Sequence, residues 1–202
     1  MKKLLVSLMV VSALFAEATK EEQLAKKIAL EASMQYQKDL QNAMEKVLYS
    51  KGPAAAIQFC SKHAYPITMR TTLKLRRKLG VKLKLKRISF KYRDSADAPN
   101  VLNVEPLKEL QRQDPRHPQV VMRVYPNRID VYEPIYVQKV CLKCHGSNLS
   151  GEVKKALSKY YENDKARGYH VGDFRGAVVV TIERRSLQKL IKKQSQTDTN
   201  AQ

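Results

Sequence analysis

The sequence predicts an α+β domain, in which an antiparallel sheet carries helices on one side. Three observations support this class. Apolar residues recur at helical spacing over 19–49, a stretch without proline or glycine. Apolar and polar residues alternate over 81–92 and over 119–137, as they do in half-buried strands. The order of elements is helices, strands, a helix-rich insertion and a last strand, which favours an α+β domain.

The first 80 residues predict three helices. A long amphipathic helix over 19–49 ends at Ser50-Lys51-Gly52, and Pro53 suits the first turn of a second helix. We expect this second helix to stop at Pro66, because a proline ring interrupts a helix. A third, short helix over 67–79 is expected to end at Gly80.

The rest of the chain predicts a strand over 81–92 with a bulge near Arg87, and a short helix from Pro106 to Arg112. Two further strands lie around the turn 126–128. A helix over 151–163, a strand over 174–183 and a short basic helix complete the fold. We place the domain at 19–190 and expect a disordered polar tail over 191–202.

The first 18 residues predict export. Lys2 and Lys3 precede an apolar run over 4–15, and Ala16 and Ala18 form a small-residue cleavage site. This is the layout of a secretory signal peptide, and the apolar run is shorter than the roughly 20 residues that span a bilayer. An uncleaved N-terminal anchor is the alternative. Both interpretations place the folded part in the periplasm.

The chain is strongly basic, with 38 Lys and Arg against 19 Asp and Glu, a net charge of +19. In a cytoplasmic protein this charge would suggest nucleic acid. In an exported protein it predicts an acidic partner protein or peripheral contact with acidic lipid head groups, and no nucleic acid. The charge is densest over 70–87, where nine of 18 residues are basic. Solvated faces of a helix and a strand, or a docking patch, explain this run equally.

The chemistry of the chain is carried by Cys141-Leu142-Lys143-Cys144-His145. The pattern C-x-x-C-H is typical of covalent c-type haem attachment. The two thiols add to the vinyl groups of one porphyrin, and the histidine that follows supplies a nitrogen to the iron. We therefore predict one haem c per chain, with Cys141 and Cys144 as thioether links and His145 as proximal ligand. A zinc site or a thiol redox pair at Cys141 and Cys144 is the alternative.

The second axial ligand of the iron has several candidates. Cys60 is the odd cysteine of the chain, and it shares a helix face with His63 at a spacing of three residues. The residues alone do not decide between these two. The other candidates are His117, His170, Met69 and Met122.

Four segments resemble a family of single-haem c-type proteins with a PAS-like fold, found in cyanobacteria and proteobacteria. They cover most of the chain in order: "GPAAAIQFCSKHA" (52–64), "RISFKYRDSADAPN" (87–100), "YEPIYVQKVCLKCHG" (132–146) and "DKARGYHVGDFRGAVVVTI" (164–182). The resemblance implies a PAS-like sheet, and a haem with His145 on one face and the Cys60 thiolate on the other, with His63 as the fallback. Separately, we expect Arg87, Arg93 and Arg175 to contact the haem propionates.

These residues predict a periplasmic haem protein. A thiolate ligand stabilises ferric iron, so the haem is expected to have a low reduction potential. Because both axial positions are filled, we expect electron transfer or redox and ligand sensing rather than catalysis. The expected partners are an acidic redox protein and, on the reduced form, a small gas such as CO or NO. A haem enzyme in which Cys60 leaves the iron is the alternative.

Overall fold

The computed structural model describes residues 19–199, with side chains up to residue 196, so the predicted signal peptide at 1–18 lies outside the described residues. Within these described residues, five α-helices and four strands form an α+β fold with an antiparallel sheet and a long N-terminal helix, which confirms the predicted class and is consistent with a PAS-like domain. The helices are α1 Lys20–Leu79, α2 Val101–Gln111, α3 Leu142–His145, α4 Gly151–Tyr160 and α5 Arg184–Thr199. The strands are β1 Leu83–Ile88, β2 Val121–Val124, β3 Arg128–Tyr136 and β4 Phe174–Glu183.

Helix α1 is a hairpin of two arms, 20–51 and 53–79. Gly52 lies between them with φ 83° and ψ 174°, a conformation that glycine adopts without strain. The arms run antiparallel, since Lys78 pairs with Glu31 at 2.7 Å near the open end and Thr71 donates to Asp39 at 2.8 Å closer to the turn. The predicted break at Gly52 is confirmed.

The predicted end of a helix at Pro66 is wrong. The second arm continues through Pro66 to Leu79. Pro66 and Lys62 both lie at the exposed surface, where water can satisfy the carbonyl group that loses its partner. On the opposite side Ile67 and Leu75 are buried, and their packing holds the helix together.

The sheet has the strand order β1-β4-β3-β2, and every neighbouring pair is antiparallel. One face packs against α1 and α5, in a core that contains Leu83, Val131 and Val180. The other face packs against α2, where Leu107 and Leu110 meet Tyr132 and other residues. Helices therefore cover both faces, and the expectation that they all lie on one side is wrong.

Several element boundaries differ from the predicted ones. Helix α2 begins at Val101, five residues before Pro106, because the Asn100 side chain accepts hydrogen bonds from two backbone N–H groups at 3.1 and 3.2 Å. Strand β1 ends at Ile88 rather than at 92, and α4 ends at Tyr160 rather than at 163.

Helix α5 extends to Thr199, so residues 191–199, which the composition assigned to a disordered polar tail over 191–202, are helical. Residues 200–202 of that tail lie outside the described residues. Leu187, Leu190 and Ile191 pack against the helix-side core and anchor the start of this helix. The two strands around 126–128 and the strand over 174–183 are as predicted. Between residues 19 and 199, no helix is both long and apolar enough to cross a membrane.

Candidate functional site

A cavity lies between the two arms of α1, the ends of β1, β3 and β4, and the loop that follows β3. Apolar side chains such as Leu40, Met44 and Ile57 form part of its wall. Seven of the predicted site residues, from five separate parts of the sequence, line this one cavity: Cys60, Arg87, Arg93, Cys141, Cys144, His145 and Arg175.

The loop over 139–146 carries the two cysteines and the histidine. A 3-10 turn over Lys139–Cys141 leads into the single turn of α3, which ends at His145 and has Gly146 as its C-cap. A Cβ at Gly146 would lie 2.8 Å from the carbonyl oxygen of Leu142, so a larger residue would push this turn open. The N–H of Tyr169 donates to the carbonyl of His145 at 3.0 Å and fixes the loop to the segment before β4.

The imidazole of His145 is held in one tautomer. Its Nδ1 lies 2.8 Å from the carbonyl oxygen of Ala166, and a carbonyl only accepts, so Nδ1 carries the hydrogen and Nε2 keeps its lone pair. Burial lowers the pKa of His145 well below its usual value, and the cations of Arg93 and Arg175 lower it further. The ring is therefore neutral and has the form that ligates metals.

A buried ion pair supports this loop from behind. The Asp164 carboxylate is fully buried, and its Oδ1 accepts from Nε of Arg93 at 3.1 Å. Nη2 of Arg93 donates to the carbonyl of Cys144 at 2.6 Å and to that of Ala166 at 3.2 Å. Arg93 thus joins the cysteine loop to the carbonyl group that orients His145.

Cys60 lines the cavity from the second arm of α1, whereas Cys141, Cys144 and His145 line it from the loop after β3. Cys144 packs against the cluster that contains Ile57, one turn before Cys60 on the same arm. Burial raises the pKa of the Cys60 thiol, and the nearby Arg87 cation opposes this shift. No disulfide joins Cys60, Cys141 or Cys144 to another of the described residues.

The fallback residue His63 does not line the cavity. It is exposed and stacks on Phe59, with ring centroids 4.6 Å apart. Three residues turn a helix by about 300°, which displaces His63 by about 60° from Cys60 and out of the cavity. The remaining candidates also lie away from the cavity lining: His117, His170, Met69 and Met122.

Arg87 and Arg175 reach the cavity because the paired strands β1 and β4 approach each other closely where β1 ends and β4 begins. Gly176 has φ 146°, and a Cβ there would lie 2.2 Å from the carbonyl oxygen of Ile88. Just beyond, the Ser89 hydroxyl donates to the carbonyl of Arg175 at 2.7 Å. The Arg87 guanidinium lies 3.5 Å from the Asp97 carboxylate, and that of Arg175 lies 5.5 Å from the Tyr169 ring.

Over residues 19–199, no group of three or more His, Cys, Asp or Glu side chains is placed to hold a metal ion. A structural zinc site requires four such ligands. The zinc alternative therefore lacks a donor set in this part of the chain.

Comparison with known proteins places these residues in a family. The family model described as Tll0287-like matches residues 13–183. The chain belongs to the Tll0287-like family. Among solved structures, that of the cyanobacterial heme-protein Tll0287 is similar, with 23% sequence identity and a TM-score of 0.57. The match covers 82% of this chain and 97% of that one, and it shows a shared fold. No curated protein matches the chain.

The structure places three further residues at this site, and nothing in the sequence had indicated a role for them. Asp164 and Ala166 hold Arg93 and His145, and the Tyr169 ring lies edge-on to the imidazole at 6.2 Å. All three come from 164–169, a polar segment without helical or strand spacing. The sequence feature that could have indicated Asp164 was Arg93. If Arg93 is expected to lie in a buried site, its guanidinium requires a carboxylate partner.

Proposed function

We propose that this chain is a c-type haem protein, with Cys141 and Cys144 linked to the porphyrin and His145 and Cys60 as axial ligands. One observation carries the proposal. The cavity that is lined by Cys141, Cys144 and His145 from one side is lined by Cys60 from another element, so a single planar cofactor could meet all four side chains. The similarity in fold to a cyanobacterial heme-protein supports the same cofactor.

The other residues of the cavity fit this cofactor. His145 keeps its Nε2 lone pair because Nδ1 is bound to Ala166, as in many metal-ligating histidines. Apolar residues of the first arm, such as Leu40 and Met44, suit a porphyrin ring, and Arg87 and Arg175 supply positive charge for its carboxylates. When bound, a haem supplies one-electron redox chemistry at its iron.

The ligand pair determines how such a protein would work. The Cys60 thiolate donates charge and favours the ferric state, so we expect a low reduction potential. With His145 and Cys60 both on the iron, small molecules have no open position, which supports electron transfer or redox and ligand sensing over catalysis. We place this activity in the periplasm, since the C-x-x-C-H motif requires export for haem attachment in bacteria.

Covalent attachment is tested with the pyridine haemochrome spectrum of the protein purified from a host with a haem c maturation system. We expect haem that survives acid–acetone extraction in the wild type and is lost in Cys141→Ser/Cys144→Ser. Wild-type protein without covalent haem would overturn the proposal, and bound zinc in its place would support the alternative.

The axial ligand is tested with Cys60→Ala and the matched variant His63→Ala on the same arm. We expect Cys60→Ala to shift the Soret band and raise the reduction potential, because the iron loses a charged donor. His63→Ala should leave both unchanged, since His63 lies outside the cavity. An unchanged spectrum in Cys60→Ala would rule out this thiolate as the ligand.

The binding of small ligands to the haem distinguishes an electron carrier from a sensor and from an enzyme. A sensor would bind CO or NO when reduced, since a Cys60 that took up a proton from solvent would be a weak iron ligand and would free its position. A carrier would keep both ligands and would not bind these gases. Rapid binding of CO to the reduced protein and of cyanide to the oxidised protein, both as isolated, would indicate an open iron and favour an enzyme. For a carrier with an acidic redox partner, the rate of partner reduction should fall steeply with ionic strength.

A further inference from the structure

The second arm of α1 carries an exposed surface that the proposed haem site does not use. Tyr65, Met69 and Leu73 form one row at a spacing of four residues, with exposed fractions of 73%, 40% and 48%. Side chains of this size are seldom left in solvent as a row, and a contiguous apolar patch commonly marks an interaction site.

Basic side chains accompany this row along the helix, and those of Arg70, Lys74 and Arg77 all lie on one side of it. Lys62, Arg70, Lys74 and Arg77 are exposed, and no ion pair neutralises any of them within the described residues. They extend the surface over 16 residues, or roughly 24 Å of helix. We call the row and these four cations, together, the outer face.

The sequence around the outer face contains no negative charge. Residues 46–93 include fourteen Lys and Arg and no Asp or Glu. A protein surface that only needs to be soluble mixes both signs of charge. On the neighbouring first arm, Asp39 lines a surface pocket with Arg70 and Lys74. The four cations therefore leave the outer face with a net positive charge, which favours a partner that is itself negatively charged.

The apolar row of the outer face points away from the cavity, and the cations lie beside this row on the helix. Nine residues separate Cys60 from Met69, and at about 100° per residue they lie on opposite sides of the helix. A redox partner docked on this face would be separated from the cavity by the whole helix. The surface is therefore poorly placed for electron transfer and fits a docking role.

We propose that the outer face binds the surface of an anionic lipid bilayer. Apolar side chains that alternate with Lys and Arg along an exposed helix are the pattern of interfacial helices, in which the apolar groups enter the acyl boundary. The long basic side chains then extend to the phosphate groups. This inference is independent of the haem proposal, because it depends only on the outer face.

The test is co-sedimentation of the full chain with vesicles, using equal parts of phosphatidylcholine and phosphatidylglycerol, or phosphatidylcholine alone. Any contribution of residues 1–18 is the same in all variants and does not affect the comparison. We expect salt-sensitive binding to the anionic vesicles. Arg70→Gln/Lys74→Gln/Arg77→Gln should weaken it by roughly a hundredfold, the loss expected for three surface cations.

The matched control is Lys82→Gln/Lys84→Gln/Lys86→Gln, which removes the same formal charge from the start of β1 and the residue before it. Of these three cations, Lys82 lies 3.5 Å from the Glu183 carboxylate. We expect this control to bind within about threefold of the wild type, because only the charges of the outer face lie near the phosphates. Equal losses in both triple variants would mean that net charge alone drives binding and would overturn the proposal.

Insertion of the apolar row is tested separately. Tyr65→Ser/Met69→Ser/Leu73→Ser should weaken binding at least tenfold at unchanged charge, and the single variant Leu73→Glu should act in the same direction. Far-UV circular dichroism and urea midpoints equal to those of the wild type establish that these variants fold. Unchanged binding in the serine variant, or binding of the wild type to soluble polyglutamate but not to vesicles, would refute a bilayer as the partner.

Discussion

The ion pair behind the cysteine loop gives the sharpest test of the site's architecture. Asp164→Asn keeps the shape of the side chain and removes its charge. The carboxylate is fully buried, and the partner Arg93 is only 12% exposed, so the variant leaves a buried guanidinium without its counter-ion. Removal of one member of a buried pair costs about 3–5 kcal/mol.

The second partner of Asp164 sets the size of the effect. Arg167 donates to Oδ2 at 2.7 Å but is 41% exposed, and it can turn to water when the carboxylate is gone. The pair of Arg167 with Asp164 therefore contributes at most about 1 kcal/mol to the free energy of unfolding. We expect Asp164→Asn to lower the free energy of unfolding by about 3 kcal/mol, and the matched variant Arg167→Gln to lower it by less than about 1 kcal/mol.

The assay is urea unfolding followed by far-UV circular dichroism, together with thermal scans. A loss of 3 kcal/mol corresponds to a fall of about 6–12 °C in Tm for a domain of this size. A loss below about 1 kcal/mol, or equal losses in Asp164→Asn and Arg167→Gln, would refute the view that the buried Arg93 pair holds the loop.

The pH dependence provides a second check on the same pair. Although burial opposes it, hydrogen bonds from Arg167 and the charge of Arg93 lower the pKa of Asp164 below its usual value. A carboxyl whose pKa is lowered on folding stabilises the protein above its unfolded pKa, near 4, and loses this contribution as the pH falls through the folded pKa. The difference between the wild type and Asp164→Asn should therefore be constant above about pH 5 and shrink below pH 4.

Three further predictions concern the framework of the fold. Burial raises the pKa of Glu133, whose Oε2 has no hydrogen-bond partner, so Glu133→Gln should stabilise the protein at pH 7 but not near pH 4, by urea midpoints at both pH values. Gly176→Ala should lower the free energy of unfolding by at least about 3 kcal/mol, because φ is 146° and the Cβ would lie 2.2 Å from a carbonyl oxygen of β1. The control Gly151→Ala, where the Cβ enters open space, should leave it unchanged. Arg184→Gln removes a pair with Glu21 at 2.6 Å that lowers the pKa of that carboxyl, and should lower the urea midpoint more at pH 7 than well below pH 4. The hydrogen bond from Arg184 to the Tyr125 carbonyl at 3.2 Å does not titrate and is lost at both pH values.

The strands and the first helix break could be predicted because each depends on local chemistry. Alternating side chains specify which face of β1 is buried, and Gly52 supplies a backbone conformation that other residues rarely adopt. The end predicted at Pro66 failed for a nonlocal reason. The cost of a proline in a helix is offset when the other side packs on a core, as Ile67 and Leu75 do here.

The residues of the candidate site also fall into two groups, those that the sequence could identify and those that it could not. Cys141, Cys144 and His145 are adjacent in sequence, so their motif could be recognised without knowledge of the fold. Asp164 could not, because a polar residue in a loop has no pattern that marks it as buried. Its role depends on contact with Arg93, which is 71 residues earlier in the chain.

The relation between Cys60 and His63 shows what the hairpin contributes. Both residues lie on the second arm, and spacing alone allowed either to face the cavity. The packing of the second arm, with Ile57, Ile67 and Leu75 buried, sets the rotation of the helix about its axis. That rotation turns Cys60 toward Cys144 and His145, leaves His63 at the surface, and turns Met69 outward by about half a turn from Cys60. The proposed iron ligand and the proposed lipid-binding row are thus two consequences of one helix orientation, and a variant that rotated the arm would be expected to impair both.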